Sequence, residues 1–535
     1  MAIEKIPNGA SPGPDGVPVC VLKNSKVTIA RMLVSIYKSS LASGNIPEVL
    51  KLAFISPIHK GGSRADPAQY RPISLTSHIS KILERILRRT LVNFLELNKK
   101  MDKDQHGSRE KRSCLSQLLE HHDEIVRILE EGDNADLVYL DFAKAFDKCD
   151  IGILVHKMKS LGISGNIGRW IHSFLTGREQ IVIVNGKKSK TSLVQSGVPQ
   201  GTVLGPLLFL IYISDIGEGI KSKKNIYVDD TKIKSTIRTE SDVEKLQEDI
   251  DSLQTWAEVN NMQFNGNKFQ LFRFKNNKDI KDDTIYFTGD NKEVIKRFEK
   301  LKDLGVIMNQ KATFTDQIDH VEKKVRQKIG WICRSFYNRR IQFMKQLYKS
   351  LVIPHLDYCS QLWMPVKISE IEKIEKLQRD FFRKVPDLKE LNYWEALKRM
   401  KMLSLQRRME RYRIIYCWKI ISGLTPNCGV EEVADSSKTR QGRRLIVPKN
   451  KSTAQTEKLR DQSFQFNGPL LFNTLPASIR NLNKCTVDEF KSALDTHLET
   501  IPDEPKMDGM NPNASDNKGN VGRYSNSLLF QTRRC

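Results

Sequence analysis

The order of patterns along the 535-residue chain predicts an α+β protein in which sheet and helix are largely segregated. Three observations predict it. Short apolar runs of strand character, among them LVYL at 137–140, QIVIV at 180–184 and FQLFRF at 269–274, all fall before residue 310. Two segments are laid out as antiparallel hairpins. QIVIV runs into Asn185-Gly186, a pair suited to a type I′ turn, with a return strand at 193–194, and KNIYVDDTKI at 224–233 reads as strand, turn, strand. From about 316 to 422 the apolar spacing is instead mostly helical.

Taken in order, GASPGPDGVP at 9–18 is a turn-rich opening rather than a helix. Ile29, Leu33, Ile36 and Leu41 predict a helix over 27–42. LAFISPI at 52–58 predicts a strand ending at a proline. Ile79, Ile82, Leu83, Ile86, Leu87 and Leu91 give an amphipathic helix over 76–97, and LSQLLEHHDEIVRILEE a second over 115–131. LVYL is then a buried strand leading directly into Asp141. Residues 241–259 are helical, and the later helical region is broken at Pro354, Pro365 and Pro386. A basic segment richer in Ser, Thr and Gly follows, and the Asn-, Asp-, Gly- and Ser-rich stretch 502–535 is expected to be a disordered tail.

A chain this long exceeds one compact core and predicts roughly two to four domains. Its net charge of +24, from 87 Lys and Arg against 63 Asp and Glu, favours a polyanionic partner, because neutralising phosphates releases counterions. The excess is concentrated late: residues 367–413 hold 14 basic against 8 acidic side chains, and 437–480 hold 9 against 2. A nucleic-acid track is therefore expected in the second half. Nine cysteines without a C-x-x-C pair argue against a zinc ribbon and for reduced thiols in an intracellular setting. The longest apolar stretch, Val203 to Ile213, is interrupted by Gly205 and Pro206 and is too short to span a bilayer, so no membrane partner is expected.

The chemistry centres on Asp229 and Asp230. Adjacent carboxylates at the tip of an apolar hairpin repel each other unless a cation sits between them. A solvated acidic turn is the plainer reading of the pair alone. Asp141 changes the balance, because it stands at the end of a second buried strand, where it would otherwise serve as a helix N-cap. Carboxylates from two strand ends are what a pair of Mg²⁺ ions needs to work on phosphate.

These residues lie within a longer ordered series. It comprises Ser11-Pro12-Gly13-Pro14-Asp15-Gly16, Ile55-Ser56-Pro57-Ile58-His59-Lys60 and Tyr70-Arg71-Pro72-Ile73-Ser74-Leu75. It continues through Gln105-His106-Gly107-Ser108-Arg109 and Leu140-Asp141-Phe142-Ala143-Lys144-Ala145-Phe146-Asp147. It ends with Gln195-Ser196-Gly197-Val198-Pro199-Gln200-Gly201 and Tyr227-Val228-Asp229-Asp230. In this order the series resembles the reverse transcriptases of non-LTR, LINE-like retrotransposons, most closely the Jockey-like branch. The resemblance runs over about 10–500.

It implies a right-hand polymerase fold, with fingers and palm over 1–315, a helical thumb over 316–425, a basic extension over 426–501 and the tail beyond. Asp141, Asp229 and Asp230 match the family's metal-binding catalytic carboxylates, holding two Mg²⁺ ions, with Mn²⁺ an acceptable substitute. Lys60 and Arg71 match residues that hold the incoming triphosphate, which a point cation and a forked guanidinium suit. Phe146 matches the steric gate that excludes a ribose 2′-hydroxyl; it equally suits a core ring. Gln200 and Gly201 lie in a loop whose glycines let backbone approach a nucleotide. Lys268 matches a lysine placed to protonate pyrophosphate, and Leu304-Gly305-Val306 resembles the primer grip.

The implied activity is RNA-directed DNA polymerisation with an RNA template, a DNA primer and deoxynucleoside triphosphates, acting in the nucleus or cytoplasm. In the helical region the aromatics at 381–382, 393–394, 412, 416 and 418 are expected in the core, and Arg383, Arg407, Arg408, Arg411 and Arg413 on nucleic acid. Val228 departs from the family's usual alanine, and His106 from its usual phenylalanine, where an imidazole can still stack. The first motif begins close to Met1, so an N-terminal endonuclease domain is expected to be missing and its activity to come from elsewhere. A catalytically silent or domesticated RNA-binding remnant is the competing reading. A group II intron or telomerase-like polymerase ranks below both, because Gly468-Pro469-Leu470-Leu471-Phe472-Asn473-Thr474-Leu475-Pro476 resembles the retrotransposon version.

Overall fold

The computed structural model describes residues 2–265, 269–275, 284–288, 293–436, 442–448, 459–460, 462–501, 503 and 528. Lys268, much of the basic segment after 437 and nearly all of the expected tail lie outside them. The strands used below are β1 (Leu52–His59), β2 (Tyr70–Leu75), β3 (Asn134–Leu140), β4 (Arg178–Val184), β5 (Lys223–Tyr227), β6 (Asp230–Ile237), β7 (Gln270–Phe274), β8 (Lys296–Phe298), β9 (Lys300–Asp303) and β10 (Val306–Asn309). The helices are α1 (His78–Leu97), α2 (Cys114–Glu130), α3 (Gly205–Tyr212), α4 (Thr315–Ser335) and α5 (Leu405–Ile421).

Two sheets form the first half. One carries the order β2-β1-β4, with β1 and β2 antiparallel, β1 and β4 parallel, and Ser192–Val194 returning on β4. Asn185 and Gly186 both take positive φ (50° and 78°), as the Asn-Gly turn requires. The other sheet is five-stranded in the order β8-β7-β3-β6-β5, antiparallel except at its β8–β7 edge. β3 is central and buried at every position but Tyr139, which explains its nearly continuous apolar run. The apolar stretch from 203 becomes α3, buried at every residue but Pro206. This arrangement is the α+β class expected from the sequence, and the five-stranded sheet lies where the palm was expected.

One buried cluster runs from Ile3 to Ile295 and fills the space around the palm sheet. A second runs through the helical region and on to Leu498. α2 supplies Leu118 and Leu119 to this second cluster. It also gives Ile125, Ile128 and Leu129 to a third, smaller cluster against β3 and β7. Its start is fixed by a reciprocal cap between Ser113 and Ser116.

Candidate active site

The β5–β6 hairpin pairs Tyr227 with Asp230 across a two-residue turn, Val228-Asp229. On the other side of β6, β3 pairs Leu140 with Thr231. One step further along both strands stand Asp141 and Asp230, so the sheet register itself places the third carboxylate opposite the hairpin pair. Asp230 reaches solvent in the cleft. Loss of water on its protein side, followed by the charges of Asp229, Asp141 and Asp303, pushes its carboxyl up to about 6. Among the described residues, no three His, Cys, Asp or Glu side chains already converge closely enough to hold a metal ion.

Beneath the hairpin lies a buried polar cluster. Lys232, two residues beyond Asp230, pairs with Asp303 at the end of β9. The Tyr139 hydroxyl donates to the same Asp303 carboxylate at 3.0 Å. Asp303 pairs with Val306 across the Leu304-Gly305 turn, and the Tyr358 hydroxyl donates to the Leu304 carbonyl at 2.6 Å. The primer-grip-like hairpin is thus tied to the carboxylate strand.

Three further segments pack on the same cleft. Gly197 lies so close to the strand-to-helix segment after Asp141 that an added Cβ would fall 2.7 Å from the carbonyl oxygens of Phe146 and Asp147. The Val198 amide donates to the Phe146 carbonyl at 2.8 Å. The Gln200 side chain donates to Asp147 at 3.3 Å, while its carbonyl accepts from the Ser74 amide at 2.7 Å. Gly201, at φ +101°, fits against the Ser74 carbonyl where no side chain would. Phe146 stacks on Phe209 of α3, ring centroids 4.6 Å apart. Lys60 is exposed at the end of β1, and its charge acts on Asp147. Arg71 is exposed on β2, paired in register with Ile58. Lys268 lies outside the described residues; just before it, the Asn265 amide donates to the Asp141 carbonyl at 2.8 Å.

Two residues that hold this cleft escaped the sequence reading. Glu84 is fully buried in α1 and accepts from the amides of Val203 (2.7 Å) and Leu204 (3.1 Å), fixing the loop that leads into α3. Burial raises its pKa. The signal was present: 84, 87, 91 and 95 lie on one helical face, so a glutamate interrupts the apolar stripe. Arg178 donates to the carbonyls of Ser196 (3.2 Å) and Gly197 (2.7 Å), and burial pushes its pKa down to about 10.

Two expectations need correction. His106 does not stack on a substrate. It is buried, with Nδ1 2.9 Å from Ser116 Oγ and Nε2 3.1 Å from Glu120 on α2. The arginines of α5 are not a nucleic-acid track either. Arg407 and Arg413 are buried, Arg408 pairs with Asp357 at 2.7 Å, and Arg411 pairs with Asp495. The aromatics Phe381, Phe382, Tyr416 and Trp418 are in the core, as expected. The exposed cation-and-ring surface is instead on α4 and the loop after it. Lys324 and Arg334 are exposed there, Lys328 lies 5.3 Å over the Trp331 ring, and Trp331 and Tyr337 are 44% and 93% exposed.

The sheet register thus brings the three carboxylates named from the sequence to one end of the five-stranded sheet. By sequence, residues 58–308 match the family described as reverse transcriptase (RNA-dependent DNA polymerase). It is 30% identical over 368 residues to the RNA-directed DNA polymerase from mobile element jockey of Drosophila funebris, covering 66% of this chain and 39% of that one. It is 29% identical to the jockey polymerase of Drosophila melanogaster, covering 72% and 43%. To the probable RNA-directed DNA polymerase from transposon X-element of the same fly it is 27% identical, covering 70% and 42%. The chain thus spans about two fifths of the length of these relatives. Apo telomerase from Candida tropicalis superposes loosely, with a TM-score of 0.40 and 13% identity over 74% of this chain and 67% of that one. Among the described residues, no helix is long and apolar enough to cross a membrane.

Proposed function

We propose that this chain is an RNA-directed DNA polymerase of retrotransposon origin that extends a DNA primer on an RNA template by two-metal phosphoryl transfer. The observation that carries the reading is the register: Asp141 stands opposite Asp230 at the mouth of the palm sheet, beside Asp229. A carboxyl raised by loss of water and then by neighbouring carboxylates, as Asp230 is, suits a cation, and all-oxygen donors suit Mg²⁺. Asp141, Asp229 and Asp230 would hold the ions, which when bound supply charge to the attacking and leaving oxygens of the displacement.

The remaining residues bind and orient. The Gln200-Gly201 loop, anchored to Asp147 and β2, presents backbone to the incoming nucleotide. Phe146, held by Phe209, offers a ring edge against a 2′-hydroxyl and so selects deoxynucleoside triphosphates. Lys60 and Arg71, both exposed on the β1–β2 hairpin, take the triphosphate, and Lys268 serves the departing pyrophosphate. The exposed face of α4 follows the template-primer, its lysines on phosphates and Trp331 and Tyr337 stacking on bases.

Primer extension on an RNA template with Mg²⁺ and deoxynucleotides tests this. The wild-type chain extends the primer; Asp229→Asn still binds the template-primer but does not extend it; Phe146→Val begins to accept ribonucleotides. A wild-type chain that binds RNA and never extends would establish the silent-remnant reading instead.

A further inference from the structure

Val228 is the one β-branched residue at positive φ (+60°) among the described residues. It occupies the first position of the two-residue turn, where a positive φ normally calls for glycine. A branched side chain in the left-handed region is strained and persists only where its surroundings impose it. Local preference therefore does not hold the turn in shape, and the structure provides an external hold.

That hold is Gln105, only 3% exposed. Its Oε1 accepts from the Val228 amide at 2.9 Å and from the Gly107 amide at 2.7 Å, and its Nε2 donates to the Val228 carbonyl at 3.3 Å. One side-chain amide thus grips both backbone groups of the strained residue. The neighbouring backbone aligns it: Ile226 donates to the Asp104 carbonyl at 3.0 Å, and His106 donates to the Ile226 carbonyl at 2.8 Å. His106 is in turn held on α2 by Ser116 and Glu120. Gly107 completes the fit, since a Cβ there would fall 2.5 Å from the Val228 nitrogen and Cγ2.

We infer that Gln105 is a positioning residue for the carboxylate hairpin: by clamping Val228 in the left-handed region it fixes where Asp229 and Asp230 point. The inference rests on the polymerase reading above, and its test separates the two. Gln105→Ala removes the clamp and no charge. Hydrogen exchange of the peptide over 226–231 should lose protection. In primer extension, kcat should fall roughly ten- to a hundredfold, because small misplacements of reacting groups cost that much. KM for nucleotide and affinity for template-primer should hold, and Gln105→Asn, one methylene too short to reach, should behave like Gln105→Ala.

The discriminating variant is Val228→Gly in the Gln105→Ala background. Glycine takes positive φ without strain, so it should restore part of the lost kcat, which repair of a merely destabilised fold would not do. If Gln105→Ala does not fold, Gln105→Asn carries the same comparison. Unchanged exchange over 226–231, or lost protection with kcat intact, overturns the inference. If the wild type itself never extends, the polymerase reading fails, and the exchange experiment still decides the clamp.

Discussion

At the mouth of the palm sheet Asp141, Asp229 and Asp230 stand together, and the carboxyl of Asp230 is driven up to about 6. In the helical region and the segment after it many charges are matched. Arg408 lies on Asp357, Arg411 on Asp495, Arg443 on Glu432 and Arg326 on Glu322. One region keeps like charges side by side and a branched residue in strained backbone; the other neutralises its charges within the fold. Like charges gathered at one sheet edge single out the proposed site, whereas charge abundance does not. The stretch 367–413, with its 14 basic residues, looked like the binding track, yet many of those cations serve the fold.

The sharpest way to break this contrast is Asp230→Asn. On the proposed reading the variant loses a metal ligand and with it several kcal/mol of transition-state stabilisation, so extension should fall by roughly a thousandfold or more. The same variant should raise the Tm of the metal-free protein. The sign follows from the shift: folding favours protonated Asp230, so its stabilising contribution is present at low pH and lost as pH rises through about 6. Asparagine should therefore gain stability over wild type at pH 8 and little at pH 4, as read by thermal melts at both. A variant that loses both activity and stability at pH 8 would mean that the carboxylates are structural.

Next in size is Arg413→Ala. Arg413 donates to the carbonyls of Gln361 (2.9 Å) and Gln462 (3.2 Å) from a fully buried position. Its removal should cost about 3 kcal/mol or more, read as a drop in urea midpoint, with RNA affinity of the folded protein unchanged. The smallest effect sharpens the comparison most. Lys324→Ala and Lys328→Ala should each lower the slope of log affinity against log salt by roughly 0.7 on single-stranded RNA, whereas Arg408→Ala should leave that slope alone. A slope that falls for Arg408→Ala instead would return the α5 arginines to the nucleic-acid track.

Much of the palm was legible because its signals are local. QIVIV with Asn-Gly, the apolar LVYL run and the YVDD hairpin each carry their structure within ten residues, and β3, β4 and the β5–β6 hairpin formed where expected. The relation of Asp141 to Asp230 needed only the register. What periodicity could not supply was partnership at a distance. Arg411 finds Asp495 84 positions away, and Arg408 finds Asp357 51 away, so exposed and paired arginines look alike in the sequence. Ile86 fitted the apolar stripe of α1 yet is 47% exposed, while Glu84 on the stripe is buried because two loop amides meet it there. The positive φ of Val228 was illegible for the opposite reason: valine's own preference argues against it, and only the segment 104–107 imposes it.

The helix Cys114–Glu130 has a consequence for anyone trimming this protein. Its Leu118 and Leu119 are covered from the far side of the chain, and its Ser116 carbonyl, His122 ring and Glu130 carboxylate meet Cys428, Ala312 and Arg460. A fragment cut after residue 315 would keep the ordered motifs from Ser11 to Asp230 and still strip much of the cover from Leu118 and Leu119, beside a Ser116 carbonyl and a Glu130 carboxylate that lose their partners. The seam drawn by motif and the seam drawn by solubility therefore fall in different places, and fragments that respect only the first should aggregate.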